Sequence, residues 1–180
     1  MILEMEYAGL RKVISGGQCG ADRGGLEAAR AMGLDTGGTA PKGYRTWYGP
    51  APDLADFGVV EHTSPLYPPR TAQNIRDSDA TLIVASNPDS GGTLLTQRLC
   101  RSVGKPYHII TLPIADRSKV IESACNFIQR KCVEVLNVAG NRDTGTGPKA
   151  TFHHDETVSI VTDILKELDR RQLLNRVKDK

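Results

Sequence analysis

Between Lys12 and Ala29 the chain reads KVISGGQCGADRGGLEAA, a short apolar run, a glycine-rich turn and the start of a helix. That order constrains the fold more than any other feature, because a strand, a glycine turn and a helix N-terminus together present free backbone N–H groups to an anion in a parallel α/β sheet. Gly16, Gly17 and Gly20 permit positive φ and let a ligand reach the main chain unobstructed. Asp22 and Arg23 fall in the first helical turn and are expected to reach the same concavity. The same glycines also suit a plain strand–helix connection, so a second signal is needed.

Ala80–Ala85, ATLIVA, supplies it. Six apolar, β-favouring residues in a row suit a buried parallel strand. They lead into Ser86–Thr93, which holds Ser90-Gly91-Gly92-Thr93, and then into a helix expected over Leu94–Val103. Further strands are expected at Lys12–Ser15, Phe57–Glu61, Tyr107–Thr111 and Val133–Val138, with a weak one in Leu34–Ala40 because Gly37-Gly38 interrupts it. Helices are expected at Ala21–Met32, Pro68–Asp79 and Arg117–Lys131. Val158, Val161, Leu165 and Leu168 mark a long terminal helix over residues 156–178. Strands alternating with helices predict an α/β, Rossmann-like three-layer sandwich with a mostly parallel sheet of five or six strands. A single domain over 1–180 is expected, with its core in 12–142.

In such a sheet ligands bind beyond the carboxyl ends of the strands, where strand order reverses. Ser15–Gly20, Ser86–Thr93 and Ala139–Arg142 all stand at strand ends, so a cleft there is the expectation, with Gly91, Gly92 and Thr93 suited to phosphate. Asn74 and Asp77 share a helix face beside Arg70 and Arg76. They suit either the orientation of a ribose or heterocycle or a solvated helix face. Lys42, Arg45 and Trp47, in the irregular stretch Pro41–Pro52, suit a lid or a loop pinned by its tryptophan. G-x-x-x-x-G-K-[ST] is absent and no clean G-x-G-x-x-G occurs, which disfavours P-loop phosphoryl transfer and standard dinucleotide chemistry.

Composition narrows the classes further. A net charge of +2 with 24% charged residues is too balanced for a nucleic-acid binder. Four cysteines without a C-x-x-C pair, and no apolar run long enough for a leader or a membrane span, predict free thiols in a soluble cytoplasmic protein. His153-His154-Asp155 lacks the spaced ligand pairs of a metal site, so no metal is expected. Cys19 sits where a helix N-terminus would lower a thiol pKa, but no base lies near it in sequence. His62 and His108 are expected to be structural.

Three blocks, Ile14–Gln18 with Gly20, Asp22, Arg23 and Pro41-Lys42-Gly43, then Arg70-Thr71 with Asn74, Arg76–Thr81 and Ser90–Thr93, then Leu136–Gly140, together resemble the molybdenum cofactor carrier family. That family belongs to the SLOG superfamily of Rossmann-like proteins, related to the lysine-decarboxylase-like (LOG) proteins. The resemblance implies a cleft for a phosphate-bearing ligand, either a molybdenum cofactor or another nucleotide-derived or pterin-like compound. It also implies a homo-oligomer, a dimer or tetramer, and a role as carrier, sensor or sequestering protein. The ligand residues it points to are Gly16, Gly17, Gln18, Cys19, Gly20, Asp22, Arg23, Lys42, Arg70, Asn74, Asp77, Ser90, Gly91, Gly92 and Thr93. Three positions depart from the pattern: Cys19 and Ala21 replace Thr and Val, and Asn141 follows Gly140 where a proline is usual. The alternative is a LOG-type nucleotide N-glycosidase. Glycoside cleavage needs a carboxyl group, yet Thr96 stands where those enzymes carry Glu, and Ser90–Val103 contains no acid. Only Asp22 or Asp77 remains to substitute, so binding is the favoured expectation.

Overall fold

The computed structural model describes residues 7–145 and 152–176. The strands are β1 (Lys12–Ile14), β2 (Asp35–Ala40), β3 (Arg45–Thr46), β4 (Gly49–Pro50), β5 (Val59–Glu61), β6 (Ala80–Ala85), β7 (Tyr107–Thr111) and β8 (Val135–Gly140). The helices are α1 (Ala21–Ala31), α2 (Tyr67–Asp77), α3 (Gly91–Ser102), α4 (Arg117–Arg130) and α5 (His154–Arg170), with a 3-10 helix at Pro52–Phe57. Six strands form one sheet in the order β5-β2-β1-β8-β6-β7, and every pairing in it is parallel. β3 and β4 form a separate antiparallel hairpin.

From β1 the chain steps outward through β2 to β5, crosses back to β6, moves out to β7 and returns as β8 between β1 and β6. The reversal therefore lies at β1, β8 and β6. Right-handed crossovers put helices on both faces. α1, α4 and α5 pack together over Leu82, Val84, Leu136 and Val138. α2 and α3 pack on the opposite face. There the strands present Thr39, Thr81 and Asn137, buried and hydrogen-bonded to partners rather than to water.

Three expectations change. β2 is a full six-residue strand paired on both edges, despite Gly37-Gly38. Gly38 has φ +124°, and a Cβ there would lie 2.0 Å from the Ser15 carbonyl, so the glycine lets β2 lie against the first turn instead of breaking it. α3 begins at Gly91, three residues before Leu94, so the glycines themselves form the helix N-terminus. α5 stops at Arg170, not at 178. The chain turns at Gln172, with φ +60°, and Leu174 bridges to Leu10, while residues 177–178 lie outside the described segments. No helix among the described residues is long and apolar enough to cross a membrane.

Candidate functional site

A cleft of about 510 Å³ opens at the carboxyl ends of β1, β8 and β6, between α2 and α3. The first turn supplies one wall. Ser15 Oγ accepts from Gly17 N–H at 3.1 Å and donates to the Asp22 carbonyl at 3.0 Å, which folds the turn onto α1. Asp22, 4% exposed, accepts from Arg70 Nη1 at 3.0 Å and from Gln18 N–H at 3.4 Å. Burial raises the Asp22 carboxyl above its ordinary range, against the pull of Arg70 and of the N–H groups of Gln18 and Gly16. Arg70 is buried, yet its Nε has no hydrogen-bond partner among the described residues. A buried donor left unsatisfied is costly, and here it borders an open cleft. Gln18 connects this wall to the hairpin, since its Oε1 accepts from Trp47 N–H at 2.8 Å. Arg142 stacks on the Trp47 ring at 3.8 Å.

Ser90, Gly91, Gly92 and Thr93 form the opposite wall. Its keystone is Asn141. Asn141 Nδ2 donates to Ser90 Oγ, Thr93 Oγ1 and the Asn87 carbonyl at 2.8, 2.9 and 3.1 Å, and its Oδ1 accepts from Asn87 N–H at 2.9 Å. The residue that breaks the proline pattern thus ties the end of β8 to the start of α3. The floor is Asn137, 3% exposed, and its Nδ2 donates to Thr81 Oγ1 at 3.1 Å. A lone amide in an apolar strand was the signal that could have revealed it.

Of the residues expected at the site, Gln18, Asp22, Arg70, Asn74, Ser90, Gly91, Gly92 and Thr93 border this cleft. Asn74 commits both ends of its amide to the Thr39 main chain, at 2.8 and 2.9 Å. Gly16 lies beneath the Arg70 guanidinium: a Cβ there would fall 1.4 Å from Nη1. Gly17, Cys19, Gly20 and Arg23 instead border a second hollow of about 300 Å³ that also contains Glu27, Asp143 and His154. Arg23 pairs there with Asp53 at 2.5 Å and Glu27 at 3.0 Å, so its charge is spent away from the cleft. Burial, reinforced by the Asp143 charge, pushes the Cys19 thiol up rather than down. Asp77 is exposed and bonded to Gln73, and Lys42 and Arg45 are exposed outside the cleft lining. His108 stacks on Phe127 and His62 accepts from Ser64 N–H, both structural contacts. Ser86, the first residue of the expected Ser86–Thr93 turn, also borders the cleft, as does His153, which the sequence did not point to for it.

Residues 13–162 match the family model described as the circularly permutated YpsA SLOG family. The crystal structure of "Putative molybdenum carrier protein" from Syntrophus aciditrophicus SB is 32% identical, with a TM-score of 0.70 over 88% of this chain and 94% of that one. No curated protein matches. The chain belongs to the circularly permutated YpsA SLOG family.

Proposed function

We propose that this family member binds a small phosphate-bearing ligand, nucleotide-derived or pterin-like, and acts as a carrier, sensor or sequestering protein. One observation carries the reading. Gly91 and Gly92 are exposed at the start of α3, neither has positive φ, and a Cβ on either would meet none of the described residues within 4 Å. Glycine in a helix is less favourable than alanine by roughly 0.5–1 kcal/mol, and nothing in the fold requires it at these two positions. What glycine keeps clear is the approach of an anion to the first N–H groups of α3. Across the cleft Arg70 lines the opposite wall and supplies a positive charge.

The molybdenum-carrier neighbour supports a molybdenum-bearing cargo. Among the described residues no group of three or more His, Cys, Asp or Glu could hold a metal, so the ligand itself would carry any molybdenum. Assembly into a homo-oligomer and a cytoplasmic location belong to the same proposal. The exposed Val60 and Leu66 and the four free cysteines favour them, and sedimentation tests the assembly.

Thermal shift against inorganic phosphate, AMP, GMP, a cyclic dinucleotide, ADP-ribose and molybdopterin tests the binding. At least one ligand should raise the melting temperature, and Gly92→Ala should weaken that ligand on the order of tenfold, about 1.4 kcal/mol. No shift from any anionic ligand overturns the proposal. The second reading, N-glycosidic cleavage, rests on Asp22, whose raised carboxyl can hold a proton inside the cleft. Asp77 lies outside the cleft lining and is no substitute. Release of free base from AMP or GMP, abolished by Asp22→Asn, would establish that reading.

A further inference from the structure

Ser86 closes β6 and opens onto the cleft. Its Oγ lies 2.8 Å from Nε2 of His153, the residue just before α5, which is only 5% exposed. The other ring nitrogen, Nδ1, has no hydrogen-bond partner among the described residues. It faces Oδ1 of Asp143 at 3.9 Å. That oxygen is fixed in place by the backbone N–H groups of His153 and His154, at 2.5 and 3.2 Å. Ser86 Oγ also lies 3.4 Å from Asn141 Oδ1. If Nε2 accepts from the serine hydroxyl, Nδ1 carries the ring proton, the tautomer a general base needs, with the carboxylate beyond hydrogen-bond distance. Residues 86, 143 and 153 come together only because β6 and β8 are neighbours in the sheet. Nucleophile, base and acid are recognised by such geometry and not by sequence order, and these hydrogen bonds are often long before substrate binds.

We propose that Ser86, His153 and Asp143 make this cleft a serine hydrolase site for a carboxylic ester carried on an anionic small molecule. Ser86 Oγ forms a bond to the acyl carbon while His153 Nε2 takes the hydroxyl proton. The same proton passes to the departing alkoxide, which leaves as the alcohol. Water, activated by His153, then attacks the acyl-serine, releases the carboxylic acid and returns the proton to Ser86 Oγ. Asp143 is a positioning residue: it holds the imidazole tautomer and offsets the charge of the imidazolium. Only the anionic part of the substrate rests on the binding proposal above.

A fluorophosphonate probe tests the serine without knowledge of the natural ligand. Attack by Ser86 Oγ forms a serine–phosphorus bond and expels fluoride, with the proton taken by His153. Intact-mass spectrometry and peptide mapping should find one adduct on Ser86 that is absent in Ser86→Ala. His153→Gln should label about a hundredfold more slowly. Asp143→Asn keeps an oxygen to cap α5 and, with p-nitrophenyl acetate, should lower kcat about tenfold while KM and melting temperature stay put. Absence of a Ser86 adduct, or equal labelling of His153→Gln, overturns the proposal and leaves the pair as a tie between β6 and α5. If His153→Gln does not fold, the comparison of the unaltered chain with Ser86→Ala still decides. Labelling without any thermal shift from phosphate compounds sinks the binding reading alone, and a shift without labelling sinks the hydrolase alone.

Discussion

The two glycine turns are alike in sequence and opposite in use. Around the first, the protein's own atoms fill the space the glycines leave. Arg70 Nη1 occupies the place of a Gly16 side chain, Leu54 that of Gly17, and the Asn141 carbonyl lies 2.6 Å from a Cβ on Gly20. All three glycines are buried, and Gly17 and Gly20 hold φ of +69° and +94°. Around the second turn no described residue approaches Gly91 or Gly92, and both are exposed. A glycine required by packing and a glycine that keeps a space open read identically in a sequence. Only the surroundings of the missing Cβ separate them.

The contrast can be broken by substitution. The largest effect is expected at the first turn from Arg70→Ala, which uncovers Gly16 and leaves Asp22 buried without its cation. Loss of one partner of a buried pair costs 3–5 kcal/mol. Because burial already favours the protonated Asp22 carboxyl, the low end, about 3 kcal/mol by urea unfolding, is the expected value. Gly20→Ala comes next, at about 2 kcal/mol, from positive φ and collision with the Asn141 main chain. An unchanged unfolding midpoint would show that the first turn is not filled as described. At the second turn the sign reverses: Gly92→Ala should stabilise the ligand-free protein by about 0.5 kcal/mol in the same assay. A clear loss of stability there would mean that the glycine serves the fold after all.

The smallest effect sharpens the picture of the hollow beside the first turn. Burial alone would depress the His154 pKa, but hydrogen bonds and charge from Asp155 and Glu27 outweigh it and raise it. His154 Nε2 lies 2.9 Å from Glu27, linking α5 to α1. A raised histidine pKa stabilises the fold fully below the unfolded value of about 6.5, and the gain disappears as pH climbs through the folded value. The stability advantage over His154→Gln should therefore be a few tenths of a kcal/mol at acid pH and vanish at alkaline pH. A constant difference across that range would remove the ionic contribution.

Much of the scaffold was legible in advance. Ala80–Ala85 and Tyr107–Thr111 are strands at the expected bounds, and α1 and α4 end within one residue of theirs. Period and apolar content are local signals: β6 is buried along its whole length, and the edge strand β7 is buried at Ile110. The errors fall where contacts between distant parts of the chain decide. Gly37-Gly38 signals a weak strand until Ser15 is seen pressed against it. Arg23 and Asp77 lie within a few residues of cleft-lining positions, yet the helical turn of about 100° per residue points them elsewhere, Arg23 to Asp53 and Asp77 to Gln73.

The sequence by itself determined a parallel α/β sheet and two glycine turns at strand ends, because strand, turn and helix propensities act over a handful of neighbouring residues. The tertiary structure alone decided which turn stays open, that Asn141 locks it, and that His153 reaches Ser86. Those pairings join residues about 50 to 70 positions apart. Only the insertion of β8 between β1 and β6 brings them within hydrogen-bonding distance.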